Sequence, residues 1–269
     1  DIGIAWVTLG FIVATAAFVW WELWGTHHPF IKMRLFENHN LRYGALLGFI
    51  LGVPLFGAGV FLQYLQTGLH FTPSFAGGLL AVRIFAILLF VPFVAYSLGK
   101  RLIDPRFMIV TGFVLVGISY SMQFFATTTD SDFGTFITSV LISGAGFALL
   151  FSPIASTVLT SIPQEDFTRG VAIFKLTLTT GGAVASAALT AIVDRRNTYH
   201  LSALASGETL SSPTVASFLR TGSHAALDGL VAAQGTVLAY ADTALYTAVL
   251  VFCVAPLAIV LRPPPRRRT

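Results

Sequence analysis

Two cationic residues lie within long apolar stretches of the sequence, where charged side chains are rare. Arg83 interrupts the run from Phe71 to Arg106, and Lys175 lies in the run from Gly170 to Val193. A charge in hydrocarbon is costly, so such a residue should face a protein interior, an interface or a water-filled path. Arg83 could line a path for a substrate or a proton, or it could cap carbonyl groups of a broken neighbouring helix.

Three further polar residues are candidates for the same path. Lys175 lies near one end of its run, so its stem could extend to the membrane surface. It could instead line the path, or form a retinal-type Schiff base, which would need an embedded carboxylate. Gln63 and Gln66 end another apolar run, where they could hydrogen-bond a ligand or meet water. The candidates for a substrate path or gate are therefore Arg83, Gln63, Gln66 and Lys175.

No motif in the sequence indicates an enzyme, a metal site or a cofactor. The single cysteine, Cys253, excludes an intrachain disulfide, and the histidines lie in connectors without ligand spacing. P-loop, nucleophile-elbow and HExxH patterns do not occur. The 12 acidic residues fall in turns, in one long polar stretch or at helix ends. Proton pumps commonly use a carboxylate within the membrane. If this protein is such a pump, we expect its coupling carboxylate to lie outside this sequence.

The composition is that of an integral membrane protein. Of 269 residues, 55% are hydrophobic and only 10% are charged, against roughly 25% charged in an ordinary soluble domain. The mean hydropathy is +0.79. The net charge of +4 comes from basic residues in short connectors and the tail. That placement is typical of membrane topology and does not indicate nucleic-acid binding.

Apolar runs predict seven membrane-spanning helices, because about 20 residues cross the hydrocarbon core as a helix. A long polar stretch, residues 194–233, is predicted to be an outer loop before the last helix. The runs are residues 2–21, 41–64, the middle of 71–106, 107–125, 133–159, 170–193 and a last one that begins between 234 and 241 and ends at 261.

Glycines predict where helices pack closely. Three of them recur every four residues in the second predicted helix, and two are adjacent in the sixth. In lipid, small residues at such positions allow neighbouring backbones to approach each other. The glycines are Gly44, Gly48, Gly52, Gly181 and Gly182.

The distribution of basic residues predicts the orientation. Connectors on one side hold 11 of the 16 Lys and Arg residues, those on the other side hold three, and two lie within helices. Lys and Arg accumulate on the cytoplasmic side, so we expect residue 1 outside and the C-terminus in the cytoplasm. A short charged turn follows the third predicted helix on the cytoplasmic side. The turn contains Gly99, Lys100, Arg101, Asp104 and Arg106.

Several segments, in this order and spacing, resemble the C-terminal half of a fourteen-helix drug:proton antiporter of the major facilitator superfamily. The resemblance departs from the family at Val82, where the family has proline, and at Leu178, where it often has arginine. The nearest cation to the second position is Lys175. The segments are RLFENHN (34–40), YLQ with FTPSFAGGLLAVR (64–83), GKRLIDPR (99–106), IPQEDFTRGVAIFKLTLTTGGAVASA (162–187), RRNTYHLSAL (195–204) and QGTVLAYADTALY (234–246).

The resemblance implies an all-α membrane protein that comprises one linker helix and a six-helix domain. The linker transmembrane helix is residues 1–25, and a cytoplasmic connector follows at 26–40. The six-helix C-terminal transporter domain is residues 41–262, and the basic cytoplasmic tail is 263–269.

The same resemblance implies a secondary transporter of the plasma membrane or bacterial inner membrane. It would export lipophilic or amphipathic drugs by alternating access, driven by protons. Its partners would be a small-molecule substrate, the proton, the lipid bilayer and the N-terminal half of the same transporter. The turn at 99–106 would act as a conformational latch, in which Asp104 and the basic residues bond neighbouring helix ends. The alternative is a truncated, non-transporting membrane half that binds lipid or a partner.

Overall fold

The described part of the chain is built from α-helices. The computed structural model describes residues 37–128, 133–207 and 224–261, with eight positions between residues 6 and 21 in helical conformation. Two short 3₁₀ helices are also present, at Gln164–Asp166 and Ala255–Val260. The α-helices are α1 (His39–Thr67), α2 (Pro73–Gly99), α3 (Pro105–Ala126), α4 (Phe133–Leu159), α5 (Phe167–Gly207) and α6 (His224–Val254).

Within the described residues, six helices are long and apolar enough to cross a membrane. This confirms the prediction of an all-α membrane protein. The sequence predicts seven spans, one more than the structure has in its described ranges. The additional predicted helix, residues 2–21, lies largely outside the described residues.

Polar side chains define where the first three helices begin. The side chain of Asn38 accepts hydrogen bonds from the backbone N–H groups of Asn40 and Leu41 at the start of α1. Thr72 and Asp104 cap α2 and α3 in the same way, and each is followed by a proline. A capping oxygen satisfies N–H groups that have no partner within the helix, and proline at the first helical position loses nothing because its N–H would be unpaired there.

The predicted outer loop at 194–233 is wrong in most of its length. α5 continues to Gly207, and α6 already begins at His224. A helix of 41 residues is about 60 Å long, about twice the hydrocarbon thickness. The last turns of α5 therefore extend beyond the hydrocarbon and need no apolar surface. Their polar residues belong to a helix in water and not to a loop.

The helices pack in a definite order. α1 packs mainly on α5, α2 on α4, and α3 on both α4 and α6, while α5 also packs on α6. One buried cluster includes Leu41, Ile162 and Leu261, and a second includes Tyr64 and Tyr240. We call the end of the bundle near the second cluster the Thr67 end, because α1 finishes there at Thr67. The sequence predicts that this end faces outside.

The glycines named from the sequence lie at contacts between helices. Gly44 faces Val158 of α4, and Gly48 faces the ring of Phe174 on α5. The other three lie where α1 and α5 cross. They are Gly52, Gly181 and Gly182.

At that crossing, α1 and α5 contact each other through their backbones. A Cβ atom built on Gly52 would lie 2.8 Å from the carbonyl oxygen of Leu178. One built on Gly181 would meet the backbone of Phe49. Backbone atoms cannot rotate away as a side chain can, so any larger residue would push the two helices apart.

We expect Gly52→Ala to destabilise the bundle by about 1–3 kcal/mol, the usual cost of overpacking a tight contact. The measurement is thermal unfolding of the purified protein in detergent. Gly59→Ala on the same helix is the matched control, because a Cβ there meets no atom within 4 Å. Equal unfolding temperatures for the two variants would show that the crossing is not tight.

Candidate functional site

Arg83 lies on a narrow buried stripe of α2. Ala76, Leu79, Arg83 and Ala86 are buried and recur every three or four residues, which places them on one face of the helix. Arg83 is only 9% exposed. A Cβ built on Gly144 would lie 2.6 Å from the carbonyl oxygen of Arg83. Glycine on α4 thus allows α2 to approach closely at the level of the cation.

Three helices contribute the immediate partners of the Arg83 guanidinium. Its Cζ atom lies 4.2 Å from the centroid of the Phe147 ring on α4, a cation–π contact. Its Nη2 atom donates to the carbonyl oxygen of Pro54 on α1 at 3.5 Å. The Tyr120 hydroxyl on α3 donates to the same oxygen at 2.7 Å. One backbone carbonyl beside the proline of α1 therefore joins side chains from α2 and α3.

The guanidinium has no acidic partner within the described ranges. Arginine carries five N–H donors and no acceptor, and the Pro54 carbonyl oxygen, the Tyr120 hydroxyl and the Phe147 ring do not engage all of them. A cation in this position is electrostatically open to an anionic or polar group that enters the site.

A small cavity with polar and apolar walls adjoins Arg83. Tyr120, Gln123 and Ser143 supply neutral polar groups, and Phe61 is among the apolar residues that line it. Gln123 donates to the Ser119 hydroxyl at 3.3 Å, and Ser119 donates to the carbonyl oxygen of Ser139 at 2.7 Å. The cavity has room for about one water molecule in this conformation.

A second cavity extends toward the Thr67 end and shares part of the same wall. Phe61, Tyr120 and Gln123 line both cavities. The second also has Tyr64 and Tyr240 in its wall, and it has room for about one or two water molecules. The two cavities share this wall and mark a narrow route from Arg83 toward the Thr67 end, lined mostly by apolar residues with a few polar groups.

Of the four residues named for the path, Arg83 lines the first of these two cavities. Gln63 is exposed and Gln66 half-buried at the Thr67 end of α1, and Lys175 is exposed on α5. None of these three lines either cavity. Their proposed role in a path or gate stays a prediction.

Sequence reasoning missed the residues that surround Arg83. Tyr120 and Gln123 are the principal ones, and they are three positions apart within an apolar helix, which places both on one face. Polar residues at that spacing inside a span are a readable signal. Pro54 and Phe147 carry no such signal, because proline and phenylalanine are common in spans for other reasons.

The charged turn between α2 and α3 is held by local contacts. Asp104 Oδ1 accepts a hydrogen bond from the Arg106 backbone N–H at 3.0 Å, as an N-cap of α3. Lys100 lies against the ring of Tyr96 one turn back, and Arg101 has a φ of 52°. Gly99 is exposed. The described contacts of these side chains stay within the turn and its two helices, so the latch also stays a prediction.

Six candidate spans with a buried cation between them define a polytopic membrane protein. The Major Facilitator Superfamily model matches residues 44–207, more than half of the chain. The chain belongs to that superfamily of membrane transporters, as its sequence motifs predict, and this membership agrees with the absence of an enzyme motif.

Several similar curated proteins carry names from multidrug resistance, drug export or fatty acid resistance. Multidrug resistance protein B homolog of Mycobacterium tuberculosis is 24% identical over 66% of this chain and 33% of its own length. Multidrug export protein EmrB of Escherichia coli is 25% identical over 72% and 38%. Fatty acid resistance protein FarB of Neisseria gonorrhoeae is 24% identical over 96% and 52%. The chain thus spans about a third to a half of the relatives it matches.

We expect Tyr120→Phe to lower the free energy of unfolding by about 1 kcal/mol, the net contribution of one hydrogen bond. The variant removes the 2.7 Å bond to Pro54 and leaves the ring in place. Thermal unfolding in detergent is the measurement. Tyr96→Phe, on an exposed tyrosine, is the control and should leave the unfolding temperature unchanged. If both variants behave alike, the Tyr120 hydroxyl does not stabilise the junction of α1 and α3.

Proposed function

We propose that this chain is part of a proton-driven exporter of lipophilic or amphipathic small molecules that works by alternating access. The observation that carries the proposal is the burial of Arg83 beside this narrow, mostly apolar route, with no acidic partner among the described residues. A charge in that position is retained at a cost, and it is explained if it acts on cargo or on the gating of the route.

The names of the relatives support export rather than uptake. Two of them are named for multidrug resistance or export and a third for fatty acid resistance. We extend this to the present chain as a substrate class: molecules with a large apolar part and at most a small polar head. Apolar cavity walls with a few polar groups suit such molecules.

The working transporter, on this proposal, also contains an N-terminal half that packs against this chain. The exposed face of α5 supports it. Lys175, Thr179, Ala183 and Ala187 are exposed there at spacings of about one helical turn. Small residues and a cation suit a protein partner or a watery path better than they suit lipid. We place Lys175 at the boundary between the two halves. We place Gln63 and Gln66 at the outer opening of the substrate path.

The proposed setting is a cell membrane, with the Thr67 end outside and the C-terminus in the cytoplasm. In transporters built from two halves, the substrate site lies near the midplane between them and is exposed alternately to each side. The cavities beside Arg83 would widen when the halves rock, since they hold only about one or two water molecules in this conformation.

The test of Arg83 is export of Nile red, an uncharged lipophilic dye, from energised cells that express the transporter with both halves. We expect Arg83→Ala to slow export roughly tenfold, because contacts to a charged group contribute more than neutral ones. Arg83→Lys should recover part of the rate, since it keeps the charge but loses the planar donors. Export by the wild type should stop when a proton uncoupler is added.

The matched control is Arg42→Ala, because Arg42 is an exposed arginine on α1. It should export dye at the wild-type rate at equal abundance in the membrane. Wild-type export by Arg83→Ala would make Arg83 a structural residue. Absence of uncoupler-sensitive export in the wild type, over a panel of amphipathic probes, would favour the non-transporting membrane half.

The latch is tested by two substitutions at Asp104. Asp104→Asn keeps the helix cap, because asparagine caps as well as aspartate, but it removes the charge. Asp104→Ala removes both and should cost about 1 kcal/mol of stability. If the charge forms a latch with neighbouring helix ends, the Asn variant exports dye several-fold more slowly at unchanged unfolding temperature. If it exports normally, Asp104 acts only as a cap.

A further inference from the structure

Three charged or titratable side chains meet between α5 and α6, away from Arg83. The Oδ2 atom of Asp242 lies 2.6 Å from Arg196 Nε and 2.7 Å from His200 Nε2. The three side chains are 19%, 30% and 16% exposed, respectively. None of them lines either cavity. The sequence places Asp242 at the start of the last helix, but in the structure it lies in the interior of α6.

The geometry determines which imidazole nitrogen can take a proton. A carboxylate only accepts hydrogen bonds, so His200 Nε2 must carry the hydrogen that Asp242 receives. The lone pair is then on Nδ1, which makes no hydrogen bond within the described part of the chain. A proton that binds at Nδ1 turns this neutral donor into an imidazolium, while Nε2–H stays on the carboxylate.

The charges around His200 come from the two helices that meet there. Arg196, one turn earlier on α5, stacks over Tyr199, and the Tyr199 ring also lies against His200. Asp242 and Tyr246 approach Arg196 from α6. Arginine stays charged throughout the physiological range, and histidine is the residue type that changes its charge between pH 5 and 8. Asp242 Oδ2 already accepts two hydrogen bonds, so His200 Nδ1 is the atom of this cluster with a free lone pair.

The cluster is connected to the candidate site through helix contacts. Tyr240, two residues before Asp242, lies 3.4 Å from the Thr67 hydroxyl, which places the cluster near the Thr67 end. α5, which carries His200, crosses α1 at Gly52, two residues from Pro54. The Pro54 carbonyl receives Arg83 and Tyr120. A change in how α5 sits on α6 would thus reach the helix that supports the Arg83 contacts.

We propose that His200, held by Asp242, is a proton-binding site of this transporter. The proposal rests on the proposed function, since it assigns one place where the driving proton binds. The proton comes from water at the Thr67 end. It adds one positive charge to a cluster in which the Asp242 carboxylate is already paired with Arg196. The imidazolium binds the carboxylate more strongly than the neutral ring does, and it is repelled by Arg196 on the same oxygen. Protonation therefore changes how α5 sits on α6. The expectation that coupling groups lie outside this sequence is then incomplete.

The first test measures proton binding without transport. Diethyl pyrocarbonate modifies only the unprotonated imidazole nitrogen, and mass spectrometry of the purified protein gives the rate at each histidine. For each histidine, the modification rate at pH 6 divided by the rate at pH 8 reports protonation of the ring. Differences in exposure between histidines cancel in this ratio. We expect this ratio at His200 to rise in Asp242→Asn, because that variant removes the carboxylate that accepts from Nε2–H.

His70, an exposed histidine in the turn after α1, is the control within the same sample. Its ratio should be equal in the wild type and in Asp242→Asn. An unchanged ratio at His200 would overturn the proposal, whatever the protein transports.

The second test asks whether that proton drives export. His200→Gln keeps an amide donor for Asp242 but cannot bind a proton. We expect this variant to lose export of Nile red against a gradient while efflux down a gradient continues at close to the wild-type rate. His70→Asn is the control and should keep both. Uphill export by His200→Gln at the wild-type rate would overturn the proposal.

The two tests separate this proposal from the proposed function. If the wild type exports no probe but the His200 ratio responds to Asp242→Asn, the proton site stands and the export function fails. If the wild type exports under proton control but the ratio does not respond, the proton binds elsewhere.

Discussion

The backbone contact between α1 and α5 is the constraint on which the rest of the structure depends. Gly52 meets the backbone near Gly181, so the two helices lie closer than side chains would allow. This approach places the Pro54 turn of α1 at a fixed position in the bundle. Both Arg83 and Tyr120 then reach one carbonyl oxygen from two other helices. In lipid, where apolar burial between helices gains little, such contacts are the main source of specificity.

The second constraint is the free-energy cost of burying a charge in an apolar bundle. The chain lowers this cost in two ways. Arg83 is buried and relies on an aromatic face and neutral oxygens. Arg196 is paired directly with Asp242. The first arrangement leaves donors open to an incoming group, and the second leaves an imidazole nitrogen open to a proton. Both proposals follow from these open groups.

The sequence predicted the spans of α1 to α4 to within three residues where it gave both bounds, because a run of about 20 apolar residues is a local property that any helix in lipid requires. It failed at the far end of α5, where polar residues indicated a loop. A helix that has left the hydrocarbon no longer needs apolar residues, so hydropathy cannot distinguish it from a loop. The interior position of Asp242 was missed for the same reason, since the start of α6 lies in that polar stretch.

By itself, the sequence determined the membrane class, the helical architecture and the fact that Arg83 must have a polar environment. These follow from composition and from the energy of a charge in lipid, which depend on few neighbours. Only the tertiary structure decided which groups surround Arg83, that Gln63, Gln66 and Lys175 lie elsewhere, and that His200 meets Asp242. Those contacts join residues far apart in the chain, and they depend on which helices pack together and at what rotation, which no local pattern specifies.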